Sequence, residues 1–128
     1  MTAGLLAVAG CAQLEAEQRA RDPSLQGTAV SLASFPGAEQ QIRAYYEQHG
    51  QEGDFSCGPV DMGPITRVAE LHDTGTELKI AIHYEFTDFD ESRRSEYCHM
   101  GFNTRLVTFR KEGGGLVLDK MSGELGAT

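Results

Sequence analysis

The sequence predicts an α+β domain in which one main helix packs on a curved, four-stranded antiparallel meander. Three observations carry this. A single stripe of helical period runs through PGAEQQIRAYYEQHG, apolar and polar residues alternate almost everywhere beyond Pro64, and turn-forming residues stand where the alternation stops. With 128 residues, of which 40% are hydrophobic, the chain is long enough for one core and too short for two.

The helix is framed by Pro36 in a first-turn position, Glu39 near the positive end of the macrodipole and Gly50 as a stop. Ile42, Tyr45, Tyr46 and His49 recur at three- and four-residue spacing, a stripe that needs a sheet to cover it. The stretch QEGDFSCGPVDMGP, rich in glycine and proline, reads as an irregular loop. ITRVAELH, the turn Asp73-Thr74-Gly75 and TELKIAIHYEFTDF then form a hairpin. In it Leu78, Ile80, Ile82, Tyr84 and Phe86 share one face, and Glu77, Lys79, Ala81, His83 and Glu85 the other. DFDESRRSE is a second connection, and YCHMGFNTRLVTFRK a third strand whose apolar parity shifts near Gly101, which suggests a bulge. Glu112-Gly113-Gly114-Gly115 turns the chain into the fourth strand, GLVLDKM, and residues 124–128 form a frayed tail. Long strands twist, and a curved sheet around a helix is similar in shape to cystatin-like and nuclear-transport-factor-like cones. Shape of this kind implies no function.

The first residues read as an address. Leu5 to Gly10 is an apolar run too short to span a bilayer, and Val8-Ala9-Gly10-Cys11 resembles a bacterial lipobox. That resemblance implies cleavage before Cys11 and attachment of a diacylglycerol to its thiol, with palmitate as a further acyl group. No Lys or Arg precedes Cys11, so residues 1–10 are expected to be the remnant of a longer signal peptide, with Met1 inside its apolar region. Residues 11–34, polar with a break at Asp22-Pro23, are expected to be a tether that stands a single domain, residues 35–123, off the membrane. Cys57 and Cys98 then remain. Outside the cytoplasm they can form a disulfide, and closing a loop of about 40 residues is worth roughly 4 kcal/mol in the chain-entropy model. A zinc site from Cys57, Cys98 and His99 is the rival, with neighbouring residues that point to opposite faces of a strand and no CxxC spacing.

The string carried by Tyr45-Tyr46-Glu47, Cys57, Ile65-Thr66-Arg67, Cys98, Gly101-Phe102 and Met121-Ser122-Gly123 resembles a group of uncharacterised envelope lipoproteins of alphaproteobacteria. The resemblance covers roughly residues 40 to 123. It implies a periplasmic, membrane-anchored domain without assigned activity. Ala12, after the lipidated position, differs from the aspartate that resembles an inner-membrane retention signal, which favours the outer membrane.

A formal charge of −8, from 19 acidic and 11 basic residues, argues against nucleic acid as a partner. No phosphate loop, dinucleotide fingerprint, haem-attachment motif or GxSxG is present, so no cofactor is expected. Asp88, Asp90 and Glu91 are interrupted by Phe89 and lack the glycine of a calcium loop, so no metal is expected. Of the four histidines, His49 sits at a helix end, His72 at a turn, and His83 and His99 on strand positions facing away from the apolar set. Tyr45, Tyr46, Tyr84, Phe86 and Phe102 either close into a core or line an apolar ligand pocket between helix and sheet. The expected function is noncatalytic: a lipid-anchored periplasmic domain that binds another envelope protein or supports envelope assembly. A small-ligand binder using the aromatic concavity is the alternative, and an enzyme with His83 or His99 as base the third reading.

Overall fold

The computed structural model describes residues 22–50, 52, 61–87 and 100–122. Within them, one antiparallel sheet takes its strands in chain order: β1 (Thr28–Ala29), β2 (Asp61–Asp73), β3 (Glu77–Thr87), β4 (Met100–Glu112) and β5 (Gly115–Met121). Helix α1 (Ala38–His49) is the one α-helix among the described residues. The predicted sheet of four strands is thereby corrected to five. The added strand, β1, lies inside the segment 11–34 expected to be a tether, and two residues are too short to leave a periodic signal.

Residues 22–34 are held by specific contacts. Asp22 caps a 3₁₀ turn at Pro23–Leu25 by accepting from the Ser24 N–H, and Ser31 does the same for a second turn at Leu32–Ser34. Ala29 pairs with Ala69, Thr28 with Glu70, and the Val30 N–H donates to the Val68 carbonyl at 3.1 Å. Leu32 enters the core beside Ile42 and Val68. Gly27 makes the approach possible: a Cβ there would lie 2.2 Å from the Glu70 carbonyl oxygen and 2.8 Å from a Leu71 methyl.

Helix α1 begins after Gly37 and ends where the Gly50 N–H donates to the Tyr46 carbonyl at 2.7 Å. Ile42 and Tyr46 are buried, Tyr45 is half-buried and His49 exposed, so the stripe faces the sheet along only part of its width. Opposite it lie Leu78, Ile80, Ile82, Tyr84 and Phe86 of β3, with Val107 and Phe109 of β4 and Met121 at the end of β5. The other sheet face carries the small Ala69–Ala81 pair, buried where the Pro23–Leu25 turn lies against β2, β3 and β4.

The helix also reaches both edges of the sheet. Gln41 bonds the backbone of β5, donating from Nε2 to the Leu116 carbonyl at 2.8 Å and accepting at Oε1 from the Leu118 N–H at 2.7 Å. Arg43 reaches β2, its Nη1 donating to the carbonyls of Met62 and Gly63 at 3.0 and 3.1 Å. One short helix can do this only if the sheet curls around it.

Two further expectations are corrected. Asp61 to Pro64, read as loop, belong to β2, whose register shifts between Met62 and Ile65 and between Ile65 and Arg67. The bulge expected near Gly101 is absent, because β3 and β4 stay in register from Thr87↔Met100 to Glu77↔Arg110. The apparent parity change has a chemical cause: Asn103 and Arg105 stand on the helix side of the sheet, Asn103 exposed and Arg105 buried, while Phe102 lies on the outer face beside His83. The irregularity in β4–β5 falls instead between Thr108 and Phe109. The Glu112–Gly115 turn forms as expected, with Gly113 and Gly114 at φ 58° and 80°, the left-handed conformations a two-residue hairpin loop requires.

Gly27→Ala tests the docking of residues 22–34. The added methyl meets backbone that has no room to give, and the variant is expected to lose about 1–3 kcal/mol in chemical denaturation, as overpacked sites do. A variant as stable as the parent would show that this segment does not contribute to the fold.

Candidate functional site

The largest buried side chain is charged. Arg105 stands on the core face of β4 in register with Val107 and Phe109, and is 1% exposed. Its guanidinium must find partners there, since an unpaired buried charge is prohibitive. Nη2 pairs with Oε2 of Glu52 at 3.1 Å, Nε donates to the Tyr84 hydroxyl at 2.5 Å, and Nη1 donates to the Ser122 carbonyl at 2.8 Å. Glu52 is equally enclosed. Its Oε2 also accepts from the hydroxyls of Tyr46 at 2.7 Å and Tyr84 at 2.5 Å, and its Oε1 from Nδ2 of Asn103 at 2.7 Å. The two tyrosine rings meet edge to face with centroids 5.5 Å apart, and the Arg105 guanidinium lies 5.2 Å from the Tyr46 centroid.

Protonation follows from this enclosure. Burial pushes both phenols well above their ordinary range, with the Glu52 carboxylate adding to it, so Tyr46 and Tyr84 remain hydrogen-bond donors. Burial works against the charge on Arg105, but Tyr84 and Glu52 outweigh it and raise its pKa. Both carboxylate oxygens of Glu52 are taken, and the Tyr84 hydroxyl donates and accepts at once. The cluster therefore presents its groups to one another.

A second constellation lies on the outer face. Arg67 of β2 donates from Nη2 to Asp22 at 2.8 Å and from Nε to the Ser24 hydroxyl at 2.9 Å, while that hydroxyl donates to Asp22 at 2.6 Å. His83 of β3 shares Nδ1 with the Thr104 hydroxyl at 2.8 Å, and Asp22 lies 4.0 Å from the same nitrogen. The Phe102 ring is stacked on His83, interplanar angle 2° and centroids 5.9 Å apart, and is 61% exposed. In a base held by a carboxylate the two groups would use different ring nitrogens. Here hydroxyl and carboxylate crowd one.

The five residues considered for an aromatic pocket are divided. Tyr46, Tyr84 and Phe86 are in the core, Tyr45 is half-buried next to His49 with ring centroids 4.5 Å apart, and Phe102 is on the opposite face. Tyr46 and Tyr84 meet ring to ring, and their hydroxyls are taken by Glu52, that of Tyr84 also by Arg105. A groove of about 510 Å³ does exist, lined by Val30, Leu32, Glu39, Ile65, Arg67 and Val68 among others, and none of the five lines it. Cys11, Cys57, Cys98 and His99 lie outside the described residues, as do Asp88, Asp90 and Glu91. Among the described residues no three His, Cys, Asp or Glu side chains gather as a metal site, and no helix is long and apolar enough to cross a membrane.

Sequence reasoning missed Glu52, Arg105, Asn103, Asp22, Arg67 and Thr104. Arg105 had a signal, a charged residue in the apolar register of β4. Glu52, from a glycine-rich stretch without periodicity, had none. No family model, curated protein or solved structure matches the chain.

Two tests follow from these clusters. Glu52→Gln and Arg105→Met, each leaving a buried partner without its counter-charge, are expected to cost about 3–5 kcal/mol apiece. The double variant should lose clearly less than their sum in a denaturation cycle, and strict additivity would refute the coupling. On the outer face, burial and then Arg67 depress the His83 pKa below 6.5, more than Asp22 restores it. Asp22 itself is held below 3.8: burial opposes this, but the Ser24 hydrogen bonds and Arg67 prevail. Both groups bind protons more readily when unfolded, so both contribute stability above their unfolded pKa values that is lost as pH falls. Tm is expected to fall on acidification from about pH 7 to about pH 5, with a shallower slope in His83→Gln. An unchanged slope in that variant would exclude His83 as a source.

Proposed function

We propose that the chain is a noncatalytic, lipid-anchored periplasmic domain that presents its outer sheet face to another component of the cell envelope. The observation that carries the reading is Phe102, a large apolar ring left 61% exposed and stacked on His83. Rigid aromatic anchors of this kind bind at low entropic cost. Among the described residues, Glu52 and Arg105 are shut in the core, and Nδ1 of His83 is taken by the Thr104 hydroxyl with Asp22 4.0 Å away. An interior filled by Tyr46, Tyr84, Glu52 and Arg105 favours a surface over a pocket.

The disulfide between Cys57 and Cys98 belongs to the same proposal. Asp61 pairs with Thr87 and Thr87 with Met100, and Glu52 is bonded to Asn103. Asp61, Thr87 and Met100, the described residues that flank the two cysteine-bearing stretches of sequence, therefore lie together at one end of the sheet. Lipidation at Cys11 rests on the lipobox resemblance, and leaves those two thiols to pair.

Intact mass of protein purified from its native membrane tests the anchor and the bridge. The expected chain lacks residues 1–10, carries a diacylglycerol on Cys11 and gains the mass of two hydrogens on reduction. An unmodified chain with three free thiols would overturn both. For the surface, Phe102→Ala is expected to leave stability within about 0.5 kcal/mol and to abolish adducts formed in membranes by a photo-crosslinker at Glu85, the residue paired with Phe102 on β3. Undiminished crosslinking would remove Phe102 from the interface.

A further inference from the structure

An edge strand offers its outward N–H and C=O groups to any chain that can pair with them. The two edges of this sheet are handled differently. On the β2 side the protection is mostly in the backbone: β1 covers Ala69 and Glu70, Pro64 has no N–H and three register shifts break the line, while the Arg43 side chain occupies the carbonyls of Met62 and Gly63. On β5, residues 115–118 contain no proline and no register shift, and Val117 is 37% exposed. Among the described residues the protection there is one side chain. The Gln41 amide donates to the Leu116 carbonyl and accepts from the Leu118 N–H, at 2.8 and 2.7 Å, as the peptide unit of a neighbouring strand would.

We propose that the edge of β5 is a self-complementary surface for a second copy of this chain, closed in the single chain by the side chain of Gln41. An antiparallel pair related by a two-fold axis at Val117 satisfies the same backbone groups that Gln41 satisfies. It sets Leu116 against Leu118 of the second copy and Val117 against its equivalent. Asp119 and Lys120 then face Gly115 and Gly114, so no like charges oppose one another along the seam. One amide and one strand compete for one edge.

The test uses the full chain with Cys11→Ser, so that no acyl group or additional thiol contributes to association, and reads mass by sedimentation equilibrium across a dilution series. Gln41→Met keeps the stem of the side chain and removes both hydrogen bonds. The parent is expected to be a monomer and Gln41→Met a reversible dimer with native circular dichroism. Adding Val117→Lys, which places two ammonium groups opposite each other at the two-fold axis, is expected to return it to a monomer. A folded Gln41→Met that stays monomeric overturns the proposal, as does a parent that is already dimeric, or a dimer indifferent to Val117→Lys. Should Gln41→Met not fold, Gln41→Glu reads the same edge. It retains the bond from Leu118 but turns a carboxylate on the Leu116 carbonyl, and a monomer there overturns the proposal equally.

Discussion

The buried charge of Arg105 is the constraint around which the rest of this domain is arranged. A guanidinium with 1% exposure needs acceptors for its N–H donors and a counter-charge, and the chain gathers these, with the groups that hold the counter-charge, from places far apart in sequence. Tyr46 comes from the helix, Glu52 from just beyond it, Tyr84 from β3, Asn103 from β4 and the Ser122 carbonyl from the end of β5. Well-packed apolar residues of the same volume could have been as stable, since desolvating two ions offsets most of their attraction. They would have been less exacting. An apolar contact tolerates a shifted partner, whereas a carboxylate holding three hydroxyl and amide donors and a guanidinium does so in one arrangement.

The helix is fixed by the same logic at its other positions. Gln41 and Arg43, one residue on either side of the buried Ile42, take backbone groups on opposite edges of the sheet. Apolar burial of Ile42 and Tyr46 draws the helix onto the sheet, and the two polar side chains set where along it the helix rests. The curl of the sheet and the position of the helix are therefore one feature. A flatter sheet would put its edges beyond the reach of a single helix, and a shifted helix would lose the edge bonds before it lost much apolar contact.

This division explains what could be seen in the sequence. The apolar run of β3, the Asp73-Thr74-Gly75 turn, the glycine turn into the last strand and the Ile42–Tyr46 stripe were legible because periodicity and turn chemistry are local. The polar ties were not. Glu52 is recognised only by what it meets fifty-odd positions later, and β1 only by Gly27 fitting against the Glu70 backbone. Arg105 was the instructive case. Its charge in an apolar register was legible, and the inference of a bulge exchanged a chemical irregularity for a geometric one. In a strand that keeps its register, a polar residue on the buried face announces a partner elsewhere.

Glu52, Arg105, Tyr46 and Tyr84 are committed to each other, and opening the space they fill would break the interactions that place the helix on the sheet. On the outer face, Asp22, Ser24, Arg67, His83 and Thr104 tie three strands and the 22–25 turn into one polar plate, and Phe102 lies flat on it. The exposed ring is thus braced through β3 and β4 by the strands that carry Tyr84 and Arg105 on their other side. Loosening the interior would blur the exterior, which couples the stability of the hidden ion pair to the shape of the outer face.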